Sequence, residues 1–499
     1  MNPLPPWLAA ALVFLASGAV LVLEILGLRL VGPYVGVTLQ TSSAVIGMAL
    51  GAIAYGAWLG GWFADRLDPR RLLAPALVLA AIATAVTLPV VRYAGEVLRG
   101  SAAGGVLLLT ALAIFVPATL LAAVTPLVVK LQLGDLEQTG RIVGRLSSIG
   151  TLGAITATLA TGFVLVYALP STAIVLGLAG ALAASGVAVS VYLRGAPADA
   201  LPGAPRTRAI LAAVGLAGAG LAATAPTPCD VETAYHCARV TTDPERATGR
   251  LLILNSARHS YVDLADPVHL EFAYTQWIGA LADVQKPSGE RIDALHLGGG
   301  GFTVPRYLTA TRPGTHNVVL ELDGKLVELD RAELGLRDGA DLQIRVGDAR
   351  MGLADQPDRG YDLVVGDAFG HLVIPWHLTT RELVADVRRV LRPTGVYALN
   401  VIDYPPARFL RAELATVAAV FPHIALMAPP EALAGRVGSN FVILASDSPL
   451  PLADLEKRLL ERATEPVDIL SGTELAAFAG GARILTDDHA PVDQLLVRP

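Results

Sequence analysis

Charge and cysteine are what this chain of 499 residues has least of. Only 16% of its residues are charged, against roughly 25% in an ordinary soluble protein. The scarcity is uneven. Up to Ala225 there are 12 Lys+Arg and 7 Asp+Glu, a net of +5; against totals of 38 and 44, this leaves 26 basic and 37 acidic residues beyond, a net of −11. All nine histidines and both cysteines also lie in that second part. An acidic soluble half lacks the basic patches that meet phosphates, which argues against a nucleic-acid partner. In place of charge there is apolar surface: 53% of residues are hydrophobic and mean hydropathy is positive. Two proteins joined near residue 226 are predicted.

The first, residues 1–225, is predicted to be a helical multi-pass domain with the lipid bilayer as its partner. Apolar segments fall near residues 8–31, 42–64, 72–91, 105–129, 148–168, 171–193 and 209–225. Most reach the roughly 20 residues that a bilayer span needs; the last is short and rich in Ala and Gly. No Lys or Arg precedes the first segment and no small-residue cleavage site follows at a suitable distance, so a cleaved signal peptide is not expected. Arg66, Arg70, Arg71, Lys130, Arg141, Arg145, Arg194, Arg206 and Arg208 fall in loops after even-numbered spans, whereas the alternate loops offer chiefly Arg92 and Arg99. Nine against two puts the even-numbered ends on the cytoplasmic side of the membrane. If all seven segments cross, the second half lies outside; if the seventh does not, it lies inside.

Within the spans, Gly47/Gly51 and Gly56/Gly60 have the small-xxx-small spacing of close helix packing. Glu24 is a costly carboxylate in an apolar span, read equally as a structural partner or as part of a transport path. Ser147, Ser148, Thr151, Thr156, Thr158 and Thr161 make the fifth span rich in hydroxyls, which in membranes often back-bond to helix carbonyls. The run GGWFADRLDPRR resembles the cytoplasmic loop of major facilitator transporters. Seven spans are too few for that fold, so transport does not follow.

Residues 226–290 read as a small β-rich module. Cys229 and Cys237 are eight residues apart with His236 between them, and no second ligand pair of zinc-site spacing lies nearby. A disulfide is the favoured reading over metal or free thiols, and it favours an oxidising exterior. Strands are predicted at 237–241, 250–254 and 260–264, followed by a helix in HLEFAYTQWIGALADV.

Residues 291–499 carry the chemistry. Strands are predicted at 293–298, 317–322, 341–346, 361–366, 395–401 and 440–445, with helices at 323–334, 378–391 and 406–420. This alternation gives a Rossmann-like α/β domain with a parallel sheet, whose ligand sits at the carboxyl ends of the strands. The first turn departs from the dinucleotide fingerprint: Gly298 and Gly300 are in place, but Thr303 holds the third glycine position. Glu321, Asp348 and Asp367 set one acid beyond each of three further strands. Such a series suits a nucleoside, read here as an S-adenosyl compound. Glu321 would take the ribose hydroxyls and Asp348 the adenine amino group. Asp367, after YDLVVG, is the expected base, because an amine acceptor with a pKa near ~10.4 must lose its proton before it attacks a sulfonium.

LHLGGGG, VVLELDGKLVEL, RVGDAR and YDLVVGDAFG, followed by IPWHLTTRELVADVRRVLRPTGVYALN, resemble the spermidine synthase family of aminopropyltransferases. With its apolar first half the chain is similar to bacterial proteins that fuse such a domain to transporter-like helices. The resemblance covers roughly residues 230–499. It implies S-adenosylmethionine or its decarboxylated form as cosubstrate, held by Gly298, Gly299, Gly300, Glu321, Asp348 and Ala349. It also implies Asp367 as base, with Tyr274 and His259 on the acceptor side. Four positions depart from the family pattern: Gly301 replaces an acid that grips the cosubstrate's amine, Gly370 replaces the second acid of the catalytic loop, and His259 and Thr275 replace glutamines. His371, His377, Asp487, Asp488 and His489 match no standard metal set, and no metal is expected.

Two classes of function remain open at this point. One is a membrane-anchored transferase acting on an amine-like or lipophilic acceptor. The other is a non-catalytic nucleoside- or polyamine-sensing module coupled to the membrane helices. A homodimer is one admissible assembly.

Overall fold

The computed structural model describes residues 4–496 apart from 102, 134–135, 194–212, 214–216, 219, 223 and 371–372. It divides into two compact units, Met1–Cys237 and Ala238–Pro499.

In the first unit, six helices are long and apolar enough to cross a membrane: Pro6–Val35, Leu39–Arg66, Pro69–Val97, Ala103–Gln132, Thr139–Ala168 and Ser171–Leu193. Each contains one of the predicted segments. The seventh segment, 209–225, falls largely outside the described residues. Of the two glycine pairs, only one packs as its spacing suggests. A Cβ on Gly56 would lie 2.3 Å from the Thr119 carbonyl oxygen and one on Gly60 2.6 Å from that of Ala123, whereas Gly47 faces open space and Gly51 has only the Phe115 ring edge, at 3.9 Å. Thr151 back-bonds to the Ser147 carbonyl at 3.1 Å, as expected of a membrane hydroxyl. Glu24 is half-buried within the first helix.

Arg92 corrects the loop reading. It lies inside Pro69–Val97 and is 8% exposed, donating to Thr172 Oγ1 at 2.7 Å and to the Ala222 carbonyl at 3.0 Å. Only Arg99 remains of the two charges assigned to the alternate loops. A second arginine is similarly engaged. Arg29, near the end of the first helix, pairs with Glu232 at 3.0 Å and donates to the carbonyls of Thr233 and Ala234. Glu232, in the two-residue strand β1 (Val231–Glu232), also accepts from the backbone N–H of Ser171 at 3.0 Å and from its hydroxyl. Ser171 opens the sixth helix. Cys229 and Cys237 are disulfide-bonded.

The second unit begins with an antiparallel meander of β2 (Cys237–Thr242), β3 (Gly249–Leu254) and β4 (Ala257–Asp263). The helix Ala273–Gln285 follows. The large sheet contains β5 (Asp293–Leu297), β6 (His316–Glu321), β7 (Leu342–Val346), β8 (Tyr361–Gly366) and β9 (Leu391–Asp403). It is completed by β10 (His423–Ala428), β11 (Ser439–Ser446) and β12 (Asp468–Ser471). Their order is β12-β10-β11-β9-β8-β5-β6-β7. β7 through β9 run parallel. The far edge does not: β11 pairs antiparallel with β9, and β10 antiparallel with both β11 and β12. The expectation of a parallel sheet therefore holds for five of these eight strands, and β10 and β12 were not foreseen. The central strands read as unbroken apolar runs because both faces are covered; every residue of β8 is buried.

Helices supply that cover. Arg381–Val390 turns Leu383, Val384, Val387 and Val390 inward, the spacing of one helix face. Thr380 caps its first turn by accepting from Leu383 N–H. Those side chains join Leu295, Val318, Val364 and Leu399 of the sheet in one core.

Candidate active site

The chain runs outward from β5 to β6 and β7, then returns to lay β8 and β9 on the other side of β5. The carboxyl ends of β5 and β8 therefore flank the point where strand order reverses, which is where open α/β sheets bind ligands. Gly298 leaves β5 there, and Asp367 leaves β8.

These two turns touch. A Cβ on Gly298 would lie 2.5 Å from the carbonyl oxygen of Asp367, and the residue sits at φ +98°. Only glycine meets both demands. The next turn residues bind Glu321, whose Oε2 accepts from Gly299 N–H at 2.7 Å and Gly300 N–H at 3.4 Å, while Oε1 accepts from Asp323 N–H at 2.8 Å. Burial raises the Glu321 pKa against those backbone donors. Gly301 N–H donates to Ser260 Oγ at 3.0 Å, and Ser260 Oγ lies 3.0 Å from His259 Nδ1.

Asp367 is the best-defined group in the crevice. Its Oδ2 accepts from Tyr274 hydroxyl at 3.0 Å and its Oδ1 from Asn400 Nδ2 at 2.8 Å. Asn400 Oδ1 accepts in turn from Asn440 Nδ2 at 2.9 Å. Burial pushes the Asp367 carboxyl from 3.8 up to about 6, although both hydrogen bonds pull it down. Burial, and then the Asp367 charge, raises the Tyr274 phenol well above its usual range, so it stays a donor. A carboxylate poised near neutrality can both accept and release a proton.

Asp348, expected at the adenine, is engaged within the protein itself. Its Oδ1 caps the helix Ala349–Ala354 by accepting from Arg350 and Met351 N–H. Its Oδ2 lies 3.0 Å from His377 Nε2. Arg350 donates to the His377 carbonyl at 3.0 Å and pairs with Asp487 at 2.5 Å. His377 and Asp487 thus tie the segment after β8 to the third strand end. His371 lies outside the described residues, and among the described ones no cluster of three or more potential metal ligands occurs.

A cavity of about 390 Å³ opens beside Asp367. Its walls include Arg258, His259, Glu271, Phe272, Tyr274, Trp277, Asn400 and Asn440. Of the expected acceptor-side residues, Tyr274 and His259 both line it. Thr275 does not; it is buried and bonds the Phe272 carbonyl at 2.6 Å. Sequence reasoning missed Asn400, Asn440 and Trp277. Asn400 carried a signal, as a lone polar residue ending the apolar run VYAL.

Strand order and crevice make the second unit a Rossmann-like domain of the methyltransferase and spermidine synthase type. No family model matches the chain. It is 27% identical over 220 residues to a polyamine aminopropyltransferase of Vibrio vulnificus, covering 42% of this chain and 71% of that protein. A probable polyamine aminopropyl transferase of Bifidobacterium longum is 27% identical over 218 residues, covering 40% of this chain and 48% of that one. A probable spermidine synthase from Corynebacterium glutamicum, of known structure, is 29% identical at a TM-score of 0.48, covering 53% of this chain and 96% of that one. The C-terminal part of the chain is spermidine synthase-like.

Proposed function

We propose that the protein is a membrane-anchored transferase that moves an aminopropyl or methyl group from an S-adenosyl sulfonium donor to an amine. The carrying observation is Asp367: buried at the switch point, its carboxyl at about 6, and gripped on both oxygens. The relatives named as polyamine aminopropyltransferases support the same class. In this reading the nucleoside lies along Gly298, Gly299 and Gly300, with its ribose on Glu321 and its adenine at Asp348 and Ala349. Asp367 takes a proton from the acceptor's ammonium group. The freed nitrogen lone pair forms the N–C bond as the C–S bond breaks, and the sulfur keeps that electron pair as a neutral thioether. The positive charge passes from sulfur to nitrogen.

The test is consumption of S-adenosylmethionine or its decarboxylated form by the detergent-solubilised full chain, read by mass spectrometry of the thioether product. Asp367→Asn should slow turnover by about 10²–10⁴-fold while leaving nucleoside binding intact. Unchanged turnover in that variant removes Asp367 as the base.

A second reading has its own support. Glu232 meets both Arg29, at the far end of the first span, and Ser171, at the start of the sixth. That end carries the odd-numbered loops, opposite the arginine-rich ones, and the charge rule puts it outside the cytoplasm. The Cys229–Cys237 disulfide at the same end agrees. Sulfonium donors are made in the cytoplasm, so an exterior site favours a module that binds a nucleoside or amine without turning it over. Measurable binding with no turnover of either donor selects this reading over the first.

A further inference from the structure

Glu24 lies roughly 16 Å along the helix axis from Val35, the nearer end of the first span, at about 1.5 Å per residue. It makes no hydrogen bond or ion pair with any described residue, which removes the reading of it as a structural partner. In a span that depth lies in the hydrocarbon, where a carboxylate is costly unless something answers it.

A cavity of about 320 Å³ lies among the first, second, fourth and fifth spans. The first span contributes Val13, Ser17, Val20 and Leu21 to its wall. Glu24 continues that stripe: Val13, Ser17, Val20 and Glu24 follow one another at steps of four, three and four, which is one face of a helix. The Cα–Cβ bond of a helical residue tilts towards the helix N-terminus, which carries the Glu24 side chain towards Val20 and the end of the cavity. Ile53, Leu121 and Ala154 make the facing walls apolar. Two hydroxyls interrupt them. Ser17 and Thr125 line the cavity with no hydrogen bond to any described residue, whereas the Thr151 hydroxyl is satisfied by the Ser147 carbonyl. Gly150 makes room for Ser17, since a Cβ there would lie 2.9 Å from Ser17 Oγ.

These walls select a chemistry. A carboxylate calls for a cation with N–H donors, and hydroxyl oxygens can accept further ones. The apolar walls call for hydrocarbon. A lipid chain alone would leave Glu24 unanswered, and an anion would be repelled by it. We propose that the first unit binds a small lipophilic amine here, with its ammonium at Glu24 and its hydrocarbon along Val13, Val20 and Leu121. The volume sits at the lower end of the roughly 300–1,000 Å³ usual for ligand sites, which keeps the ligand small. The assignment goes beyond the transferase reading and does not depend on it. It rests on the six helices being membrane spans, a premise that fails separately if alkaline carbonate extracts the chain from membranes without detergent.

Hexylamine, hexan-1-ol and hexanoate share one chain length and differ in the charge of the head. Calorimetric titration of the full chain in lipid nanodiscs, with empty nanodiscs as the blank, should show hexylamine binding at least tenfold more tightly than the other two. Glu24→Gln keeps the shape of the side chain and loses its charge. It should erase the advantage of the amine while leaving hexan-1-ol unchanged. Ala154→Phe fills the cavity from the fifth span and should remove binding of both. Equal binding of amine and alcohol, as expected of a groove for lipid chains alone, overturns the assignment. So does an unaltered ratio in Glu24→Gln, unaltered hexylamine binding in Ala154→Phe, or no binding of any of the three.

Discussion

Asp367 carries the residue-scale argument, and its neighbours decide how it behaves. Burial raises its pKa to about 6 while Asn400 and Tyr274 restrain the rise. A base must be deprotonated, so kcat/KM with saturating donor should fall as pH drops through about 6 and level off above it. The same shift bears on stability. Because the folded-state pKa lies above the ordinary 3.8, the folded protein holds this proton more tightly than the unfolded chain. Its charged form costs about 3 kcal/mol above pH 6, a cost relieved as pH falls from about 6 towards 3.8. Asn440 enters through Asn400: by donating to Asn400 Oδ1 it turns the Asn400 amide nitrogen towards Asp367. Asn440→Ala should therefore move the acid limb of the pH profile upwards, with little change in melting temperature. An unmoved limb would reduce Asn440 to a strand-pairing role. In the sequence, Asp367 was legible as a carboxylate following an apolar strand, whereas Tyr274 was reached only through the family resemblance. Asn440 was not legible, since nothing local says that β11 returns beside β9.

Among the elements, the contact between the β5 and β8 turns matters most. Gly298 combines φ +98° with a 2.5 Å approach to the Asp367 carbonyl. Gly298→Ala should cost about 1–3 kcal/mol and impair nucleoside binding, read together as a lower melting temperature and a weaker Kd. Wild-type binding in that variant would show that the turn has slack. Parallel strands β5 to β9 were readable from their buried apolar runs. β10 and β12 were not, because HIALMA and DILS are short and carry no alternation to distinguish them from loop or helix. Asp348 shows the reverse case, in which a residue predicted for the adenine also caps a helix and holds His377. Side-chain pairing across 29 residues is invisible to a reading that sees only spacing.

For the whole molecule, the proposed membrane anchoring turns on which side of the bilayer the second unit would occupy. Arg29, Ser171 and Glu232 hold residues 229–237 at the odd-loop end of the helices. A membrane-impermeant maleimide applied to intact cells should label Cys229 and Cys237 only after reduction with an impermeant phosphine. Labelling that requires permeabilised cells would put this end in the cytoplasm and return the weight to a transferase with ready access to its donor.

The sequence by itself determined the two-part composition, six long apolar segments and the position along the chain of the five parallel strands. It also determined the series of acids at the strand ends. Those properties are local: each follows from the hydrophobic period of one segment and from the chemistry of the residue that ends it. Only the tertiary structure decided which glycine pair packs, that Arg92 lies within a helix, and that Asn400 and Asn440 stand behind Asp367. These depend on segments far apart in the chain meeting at a fixed register, and register follows from packing.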